Sequence, residues 1–178
     1  MSSIYDEELP FDLETWQNRY IMSPQLWSMF NIEDLPNVDF TKWNSMKLMN
    51  ESGDSFSQEI KDIPTLYGGI YVYSICPAVI PGCGNYVMYI GKATKTPHEN
   101  LRYRVRTYQK EIGADFTRDR LHRLFSKWGK YTYLYYLPVD SDPETILELE
   151  TRLIAALVPP CNADIRAQGV KHAVRAFN

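Results

Sequence analysis

Two short segments that each carry a tyrosine are the part of this chain best suited to chemistry. Residues 68–75 and 86–91 are rich in β-branched and aromatic side chains, and a stretch rich in proline and glycine separates them. This pattern predicts a β-hairpin. Alternate side chains of a strand share a face. Tyr71 and Tyr89, one on each strand, can therefore bring two hydroxyl groups, which both donate and accept hydrogen bonds, to one place.

An arginine and a tyrosine four residues apart follow the hairpin. A capping box with a proline, and a glycine stop at position 113, predict a helix over 97–112. Arg104 and Tyr108 then lie on one face of that helix, whereas Arg102 and Arg106 form a second column on its far side. Only one of the two arginine columns can face the hairpin tyrosines.

One acidic residue, Glu150, interrupts the apolar stripe of a helix predicted over 143–157, because its neighbours three and four residues away are Ile146, Leu147, Leu153 and Ile154. Burying a carboxylate is costly unless a cation or hydrogen-bond donors receive it. On the residues alone, a structural pair with an arginine is the simpler interpretation. A bound divalent cation is the alternative.

The fold class expected from these elements is α/β (α+β). A helix over 117–128 and a third strand over 131–137, ended by Pro138, join the hairpin and the two helices already described. Together they predict a small three-stranded antiparallel sheet flanked by helices. We expect this domain to cover residues 65–178.

Residues 1–64 are expected to form an acidic, aromatic-rich helical appendage. Ser23 followed by Pro24 predicts a short helix, and further helices are expected over 13–22 and 41–50. The segment is too apolar for a disordered tail. It could pack on the rest of the chain, form a subunit interface or bind a protein partner.

Five elements, taken in order, resemble the GIY-YIG nuclease family. They are Gly69-Ile70-Tyr71, Tyr89-Ile90-Gly91, a helix with Arg104 and Tyr108, a helix with Glu150, and then Asn162. The resemblance covers residues 66–165 and implies the GIY-YIG fold and a metal-dependent DNA endonuclease. It also selects Arg104 rather than Arg102 or Arg106. The catalytic residues that it implies are Tyr71, Tyr89, Lys92, Arg104, Tyr108, Glu150 and Asn162.

The resemblance also assigns roles. Glu150 would bind Mg²⁺ or Mn²⁺, and Arg104 would hold two phosphate oxygens with its planar fork. A tyrosine of the two tripeptides, Tyr71 or Tyr89, would be the general base; we prefer Tyr71 as the base, with Tyr89 as a phosphate-orienting donor. A phenol with a pKa near 10 would need a nearby cation, Lys92 or the metal, to act as a base near neutral pH. Tyr108 would support the site by hydrogen bonding, and Asn162 would anchor the chain near the helix that holds the metal.

Positive charge is concentrated in one part of the chain. The net charge is −3, but residues 92–130 hold 11 basic and 4 acidic side chains, whereas residues 1–64 hold 4 basic and 12 acidic ones. A local basic excess attracts phosphates, although solvated helix faces would also explain it. The residues expected to bind nucleic acid are Lys92, Lys95, Arg102, Arg106, Arg120, Arg123 and Lys127.

The composition of the chain indicates its expected cellular location and the state of its cysteines. The chain has 178 residues, no long apolar run and an acidic start, so we expect a cytoplasmic protein without a membrane span. Cys76, Cys83 and Cys161 show no metal-ligand spacing, which predicts three free thiols.

Among GIY-YIG proteins, a compact chain with an N-terminal appendage most resembles a stand-alone restriction or phage-defence nuclease. Double-strand cutting with one site per chain would favour a homodimer on DNA. The alternative is a catalytically silent module of the same fold that binds nucleic acid or a protein partner within a larger complex.

Overall fold

A computed structural model describes residues 16–80, 84–140 and 142–176, and its centre is a four-stranded antiparallel sheet flanked by helices. The spatial order of the strands is β1-β4-β2-β3. The strands are β1 (Asn44–Lys47), β2 (Gly68–Ile75), β3 (Tyr86–Ala93) and β4 (Thr132–Val139).

Five α-helices surround this sheet within the described residues. They are α1 (Pro24–Met29), α2 (Leu101–Arg106), α3 (Asp119–Trp128), α4 (Pro143–Leu157) and α5 (Gln168–Ala176). Short 3-10 helices cover Phe40–Lys42, Gln58–Asp62, Thr107–Ile112 and Gly129–Tyr131. None of the described helices is both long and apolar enough to span a bilayer.

Strand β2 is the centre of the molecule, and each of its eight residues is buried. Its side chains alternate between two apolar layers, as the pleat requires. Ile70 and Val72 face a layer that includes α4, whereas Tyr71 and Tyr73 face a layer that includes Leu101 of α2 and residues of α3. The hairpin predicted from the sequence is confirmed, and β3 runs two residues further than expected.

Two glycines permit the close approach of neighbouring groups in the hairpin. Gly69 has a φ of +141°, and a Cβ atom there would overlap the carbonyl oxygen of Leu137 in β4. Gly91 lies directly opposite Tyr71, and a Cβ atom on Gly91 would overlap the phenol ring and hydroxyl of that tyrosine. The glycine of each tripeptide therefore makes room for a neighbour that a larger residue would displace.

The strand count and the helix expected over 41–50 were wrong. Residues 44–47 form β1, which pairs with Tyr133–Tyr136 of β4. Without β1, that edge of β4 would present unpaired backbone groups. Main-chain pairing over four residues outweighs the weak helical signal of this segment, which contains Asn44 and Ser45.

The described part of the N-terminal segment, residues 16–64, is helical only in part. Helix α1 is confirmed, with the Ser23 side chain accepting from the Leu26 N–H. Residues 16–22 are not helical, and the rest of the helix expected over 13–22 lies outside the described residues. Five side chains from this segment are buried in the same layer as Tyr71: Leu48, Met49, Phe56, Ile60 and Ile63. Residues 48–63 therefore help to build the core that holds the hairpin.

The helix expected over 97–112 exists in a shorter and tighter form. Its N-cap is Asn100, whose side chain accepts from the Tyr103 N–H at 2.9 Å, and not Thr96. Thr96 instead closes a local turn by accepting from the Glu99 N–H. After Arg106 the chain continues as the 3-10 helix Thr107–Ile112. The prediction that Leu101, Val105 and Tyr108 lie on the buried face of this helical segment is confirmed, because all three are buried.

The remaining elements follow the sequence closely. Helix α3 begins two residues later than expected, and α4 has the predicted bounds, with Asp142 as its N-cap. Strand β4 continues through Pro138, contrary to expectation. Pro138 lies beyond the residues that pair with β1, where a missing N–H removes no ladder hydrogen bond on that side. Cys76 and Cys161 are free thiols, and Cys83 lies outside the described residues.

Candidate active site

Three tyrosine hydroxyls meet at one point beside the hairpin. The Tyr108 hydroxyl lies 2.7 Å from that of Tyr71 and 3.1 Å from that of Tyr89. Tyr71 comes from β2, Tyr89 from β3, and Tyr108 from the 3-10 helix that follows α2. The sequence placed Tyr71 and Tyr89 on neighbouring strands, and Tyr108 is the residue that joins them.

A fourth tyrosine completes the cluster. Tyr73 is fully buried, its ring stacks on Tyr89 at a centroid distance of 5.8 Å, and its edge meets Tyr108 at 6.0 Å. Burial raises the pKa of Tyr71, Tyr73 and Tyr89 above the usual value near 10. All three phenols are therefore protonated at neutral pH and available as hydrogen-bond donors.

Arg104 adjoins this cluster on the predicted face of α2. Its guanidinium carbon lies 5.6 Å from the centre of the Tyr108 ring. Desolvation by burial lowers the pKa of Arg104, but its interactions with Tyr71 and Tyr108 outweigh that effect and raise it. The Nε atom is buried and, among the described residues, has no hydrogen-bond partner. Arg104 is thus a permanent cation next to three phenols.

Glu150 interrupts the buried face of α4, as the sequence predicted, and its side chain is partly buried. Burial raises the pKa of its carboxyl group above the usual value near 4.5, and the charges of Lys92 and Arg166 offset this only in part. A hydrogen bond from the Lys92 backbone N–H also offsets part of the desolvation of the carboxylate, and within the described residues Glu150 forms no ion pair.

Two adjoining cavities, of about 520 and 320 Å³, bring these groups together. Tyr89, Arg104 and Glu150 border both cavities. Tyr71 and Lys92 border the smaller cavity, and Asn162 borders the larger one. Six of the seven residues expected in the site therefore face these two cavities, and the seventh, Tyr108, lies behind them in the hydroxyl cluster.

Asn162 holds the strand that carries Tyr89. Its side-chain Oδ1 accepts from the Ile90 N–H at 2.9 Å, and its Nδ2 donates to the Ile90 carbonyl at 2.8 Å. The neighbouring Cys161 N–H donates to the Met88 carbonyl. Asn162 thus anchors the chain to β3, at the outer edge of the sheet, beside the cavity that Glu150 borders.

The basic residues expected to bind nucleic acid are distributed over several surfaces. Lys92 and Arg120 border the cavities, and Arg120 donates to the carbonyls of Pro160 and Asn162. Lys95 donates to the carbonyl of Thr65. Lys92 lies in β3 of the hairpin, Lys95 in the loop that follows it, and Arg120 in the first turn of α3.

The other four face elsewhere. Arg102 donates to the Ile63 carbonyl at 2.7 Å on the far side of α2, and Arg106 is exposed. Arg123 stacks on Trp128 and Lys127 lies over Trp16, so both contact aromatic rings instead of the cavities. The two-column interpretation of α2 is confirmed in that Arg104 alone of its three arginines borders the site.

Sequence reasoning missed several charged residues at or near the cavities: Glu99, Arg118, Asp119, Asp164 and Arg166 border them, and Glu111 contacts the backbone of Arg118. Arg118 has its guanidinium carbon 4.6 Å from the Tyr108 ring centre, and Arg166 borders both cavities. Glu111 is fully buried and accepts hydrogen bonds from Thr117 and Arg118. The basic excess of residues 92–130 includes Arg118 and was the usable signal for it. Arg166 lies in an irregular segment, and Glu111 sits at the end of a helical pattern that predicts exposure.

Comparison with protein-family models, with characterised proteins and with solved structures gave no match to this chain.

Proposed function

We propose that this protein is a metal-dependent DNA endonuclease of the GIY-YIG type, acting in restriction or phage defence. The observation that carries the proposal is the grouping of Tyr71, Tyr89 and Tyr108 hydroxyls with Arg104 and Glu150 around adjoining cavities. The sequence motifs, a hairpin and two helices in the expected order, support it further. A binding module would have no evident use for a half-buried acid at this place.

The side chains suggest a division of tasks in phosphodiester hydrolysis. Arg104 offers a planar fork for two phosphate oxygens, and it lies beside phenols that can donate to the same group. Tyr71 and Tyr89 are both candidates for the general base. Tyr71 is only 1% exposed, whereas Tyr89 borders both cavities. Accessibility therefore favours Tyr89 over Tyr71 as the phenol that meets the attacking water. Because burial raises the pKa of Tyr89 and Arg118 lowers it only in part, Tyr89 would act as a base only with the added charge of a bound metal ion.

The Glu150 carboxylate would be the one protein ligand of a single Mg²⁺ or Mn²⁺ ion. No group of three or more His, Cys, Asp or Glu that could hold a metal is found among residues 16–80, 84–140 and 142–176. Mg²⁺ commonly takes one or two carboxylates and completes its shell with water and phosphate oxygens. The larger cavity, about 520 Å³, has room for both. When bound, such an ion supplies a more acidic water and offsets charge on the phosphate.

The raised pKa of Glu150 agrees with this role. A carboxylate that is desolvated without a close counter-ion gains from a cation more than an exposed one does. The protein surface beyond the cavities would contact the DNA backbone, and a homodimer would cut both strands of a duplex.

The proposal is tested by incubating the purified protein with plasmid DNA in the presence of Mg²⁺, Mn²⁺ or a chelator. We expect cleavage with either metal and none with the chelator. Glu150→Gln should abolish cleavage while binding is preserved, because it removes the ligand charge and keeps the side-chain shape. Glu148→Gln is the matched control, since Glu148 is an exposed acid on the same helix.

Two results would contradict the proposal. Full cleavage by Glu150→Gln would remove the metal assignment, and binding of DNA by the wild-type protein without any cleavage would favour a catalytically silent module.

A further inference from the structure

Arg118 borders the larger cavity beside Arg104 and lies over the ring of Tyr108. Its guanidinium carbon is 4.6 Å from the centre of the Tyr108 ring, closer than that of Arg104 at 5.6 Å. Both arginines border the larger cavity together with Glu150. One phenol therefore supports two guanidinium groups at the wall of the same cavity.

The backbone of Arg118 is fixed by a fully buried acid. Glu111 accepts hydrogen bonds from the N–H groups of Thr117 and Arg118 at 2.8 and 2.9 Å, and from the Thr117 hydroxyl at 2.9 Å. Glu111 lies in the last turn of the 3-10 helix that carries Tyr108, and Arg118 directly precedes α3. This contact ties the start of α3 to the tyrosine cluster, so Arg118 is held in place before any ligand arrives.

The charges of Glu99 and Glu150 act on Arg104 and that of Glu111 acts on Arg118, but none of these acids holds a guanidinium group in an ion pair. Within the described residues neither Arg104 nor Arg118 forms an ion pair with a carboxylate, and the charge of each disfavours the charge of the other. The Glu111 carboxylate attracts Arg118, but its oxygens are already used by backbone and hydroxyl donors. Like charges held together at a cavity wall would be stabilised by an anion that bridges them.

We infer that Arg118 binds a non-bridging oxygen of the DNA phosphate beside the one held by Arg104, and this inference rests on the proposed function. Two forked cations on one phosphate favour the charge that builds on its oxygens in the transition state. Arg118 is thereby a catalytic residue of the reaction and not only a contributor to DNA affinity.

The test compares Arg118→Ala, Arg118→Lys and the control Arg175→Ala, which removes an exposed arginine of α5 that borders neither cavity. Single-turnover cleavage is measured with protein in excess. We expect Arg118→Ala to lose about 100-fold in rate. Arg118→Lys should keep most DNA affinity and still lose most of the rate, because an ammonium cannot reproduce the fork. Arg175→Ala should cleave as the wild type does.

A binding assay separates this inference from the proposed function. Fluorescence anisotropy of a short labelled duplex, in chelator, should show binding to Arg118→Ala weakened at least about tenfold relative to Arg175→Ala, as expected for a lost charged contact. If the wild type binds without cleaving, the proposed function fails and this comparison still decides the role of Arg118. Wild-type rate and affinity in a folded Arg118→Ala variant, or no DNA binding by the wild type, would overturn the inference.

Discussion

Asn162 offers a stability prediction whose size can be worked out from its contacts. Strand β3 is an edge of the sheet, and Ile90 is opposite Val72 of β2. The Ile90 N–H and carbonyl both bond to the Asn162 side chain, at 2.9 and 2.8 Å. One amide therefore satisfies two backbone groups that face away from the rest of the sheet.

Replacing Asn162 by alanine should cost about 2 kcal/mol in the free energy of unfolding, because each hydrogen bond contributes about 0.5–1.5 kcal/mol net. For a chain of this length, that loss corresponds to a fall in Tm of about 4–8 °C. Urea denaturation followed by tryptophan fluorescence gives the first quantity and calorimetry the second. Asn85→Ala is the control, since Asn85 is exposed and makes one side-chain contact, to Tyr135, and we expect a change below about 0.5 kcal/mol.

Asn162→Asp sharpens the test. At neutral pH the carboxylate can still accept from the Ile90 N–H, but it faces the Ile90 carbonyl without a proton. We expect a loss at least as large as that of Asn162→Ala. Below about pH 4 the carboxyl group is protonated and can donate, so part of the loss should be recovered relative to the wild type. If the free energy of unfolding of Asn162→Ala lies within about 0.5 kcal/mol of the wild-type value, water replaces the amide. The two hydrogen bonds between Asn162 and Ile90 would then contribute little to stability.

Three further variants test other contacts of the site. Gly91→Ala should cost about 1–3 kcal/mol by overpacking against Tyr71, whereas Gly169→Ala, with no atom within 4 Å of its added Cβ, should be neutral or stabilising in urea denaturation. Burial raises the pKa of Glu150, so its ionised form destabilises the fold above its usual pKa near 4.5. Glu150→Gln should be more stable than wild type at pH 8, and this difference should vanish on acidification. The pKa of Glu111 is lowered, because hydrogen bonds to Thr117 and Arg118 outweigh desolvation. Glu111→Gln should be less stable than wild type at neutral pH, and this difference in unfolding free energy should shrink as the pH falls below about 4.5. A difference that does not change with pH, for Glu150→Gln or for Glu111→Gln, would contradict the pKa direction given for that residue.

Local patterns were enough for the elements that carry the expected site residues. The hairpin, α3 and α4 could be predicted because alternation, caps and apolar spacing all agree in those segments. The same spacing placed Arg104 beside Tyr108 and Glu150 on the buried face of α4. These are relations within one element, which the sequence records directly.

Relations between elements were harder to predict. Strand β1 is stabilised by backbone pairing with β4, and its four side chains carry no alternating pattern. Residues Leu48 and Ile63 are buried because distant strands cover them, although their own segments look like parts of an appendage. Arg118 meets Tyr108 only after the chain has turned at Glu111, and nothing in the spacing of the three residues indicates that turn.

The tyrosine cluster joins the core and the candidate site in one structure. Tyr71 and Tyr73 are almost fully buried and pack among the side chains that stabilise the sheet. Removal of a whole ring would therefore lower stability and disturb the cavity walls together, and loss of activity in such a variant would not identify a chemical role. The charged residues at the cavities differ in this respect, because Arg104 and Glu150 are only partly buried. Their removal changes the charge facing a ligand and leaves the packed rings in place, so substitutions at these positions separate chemistry from folding.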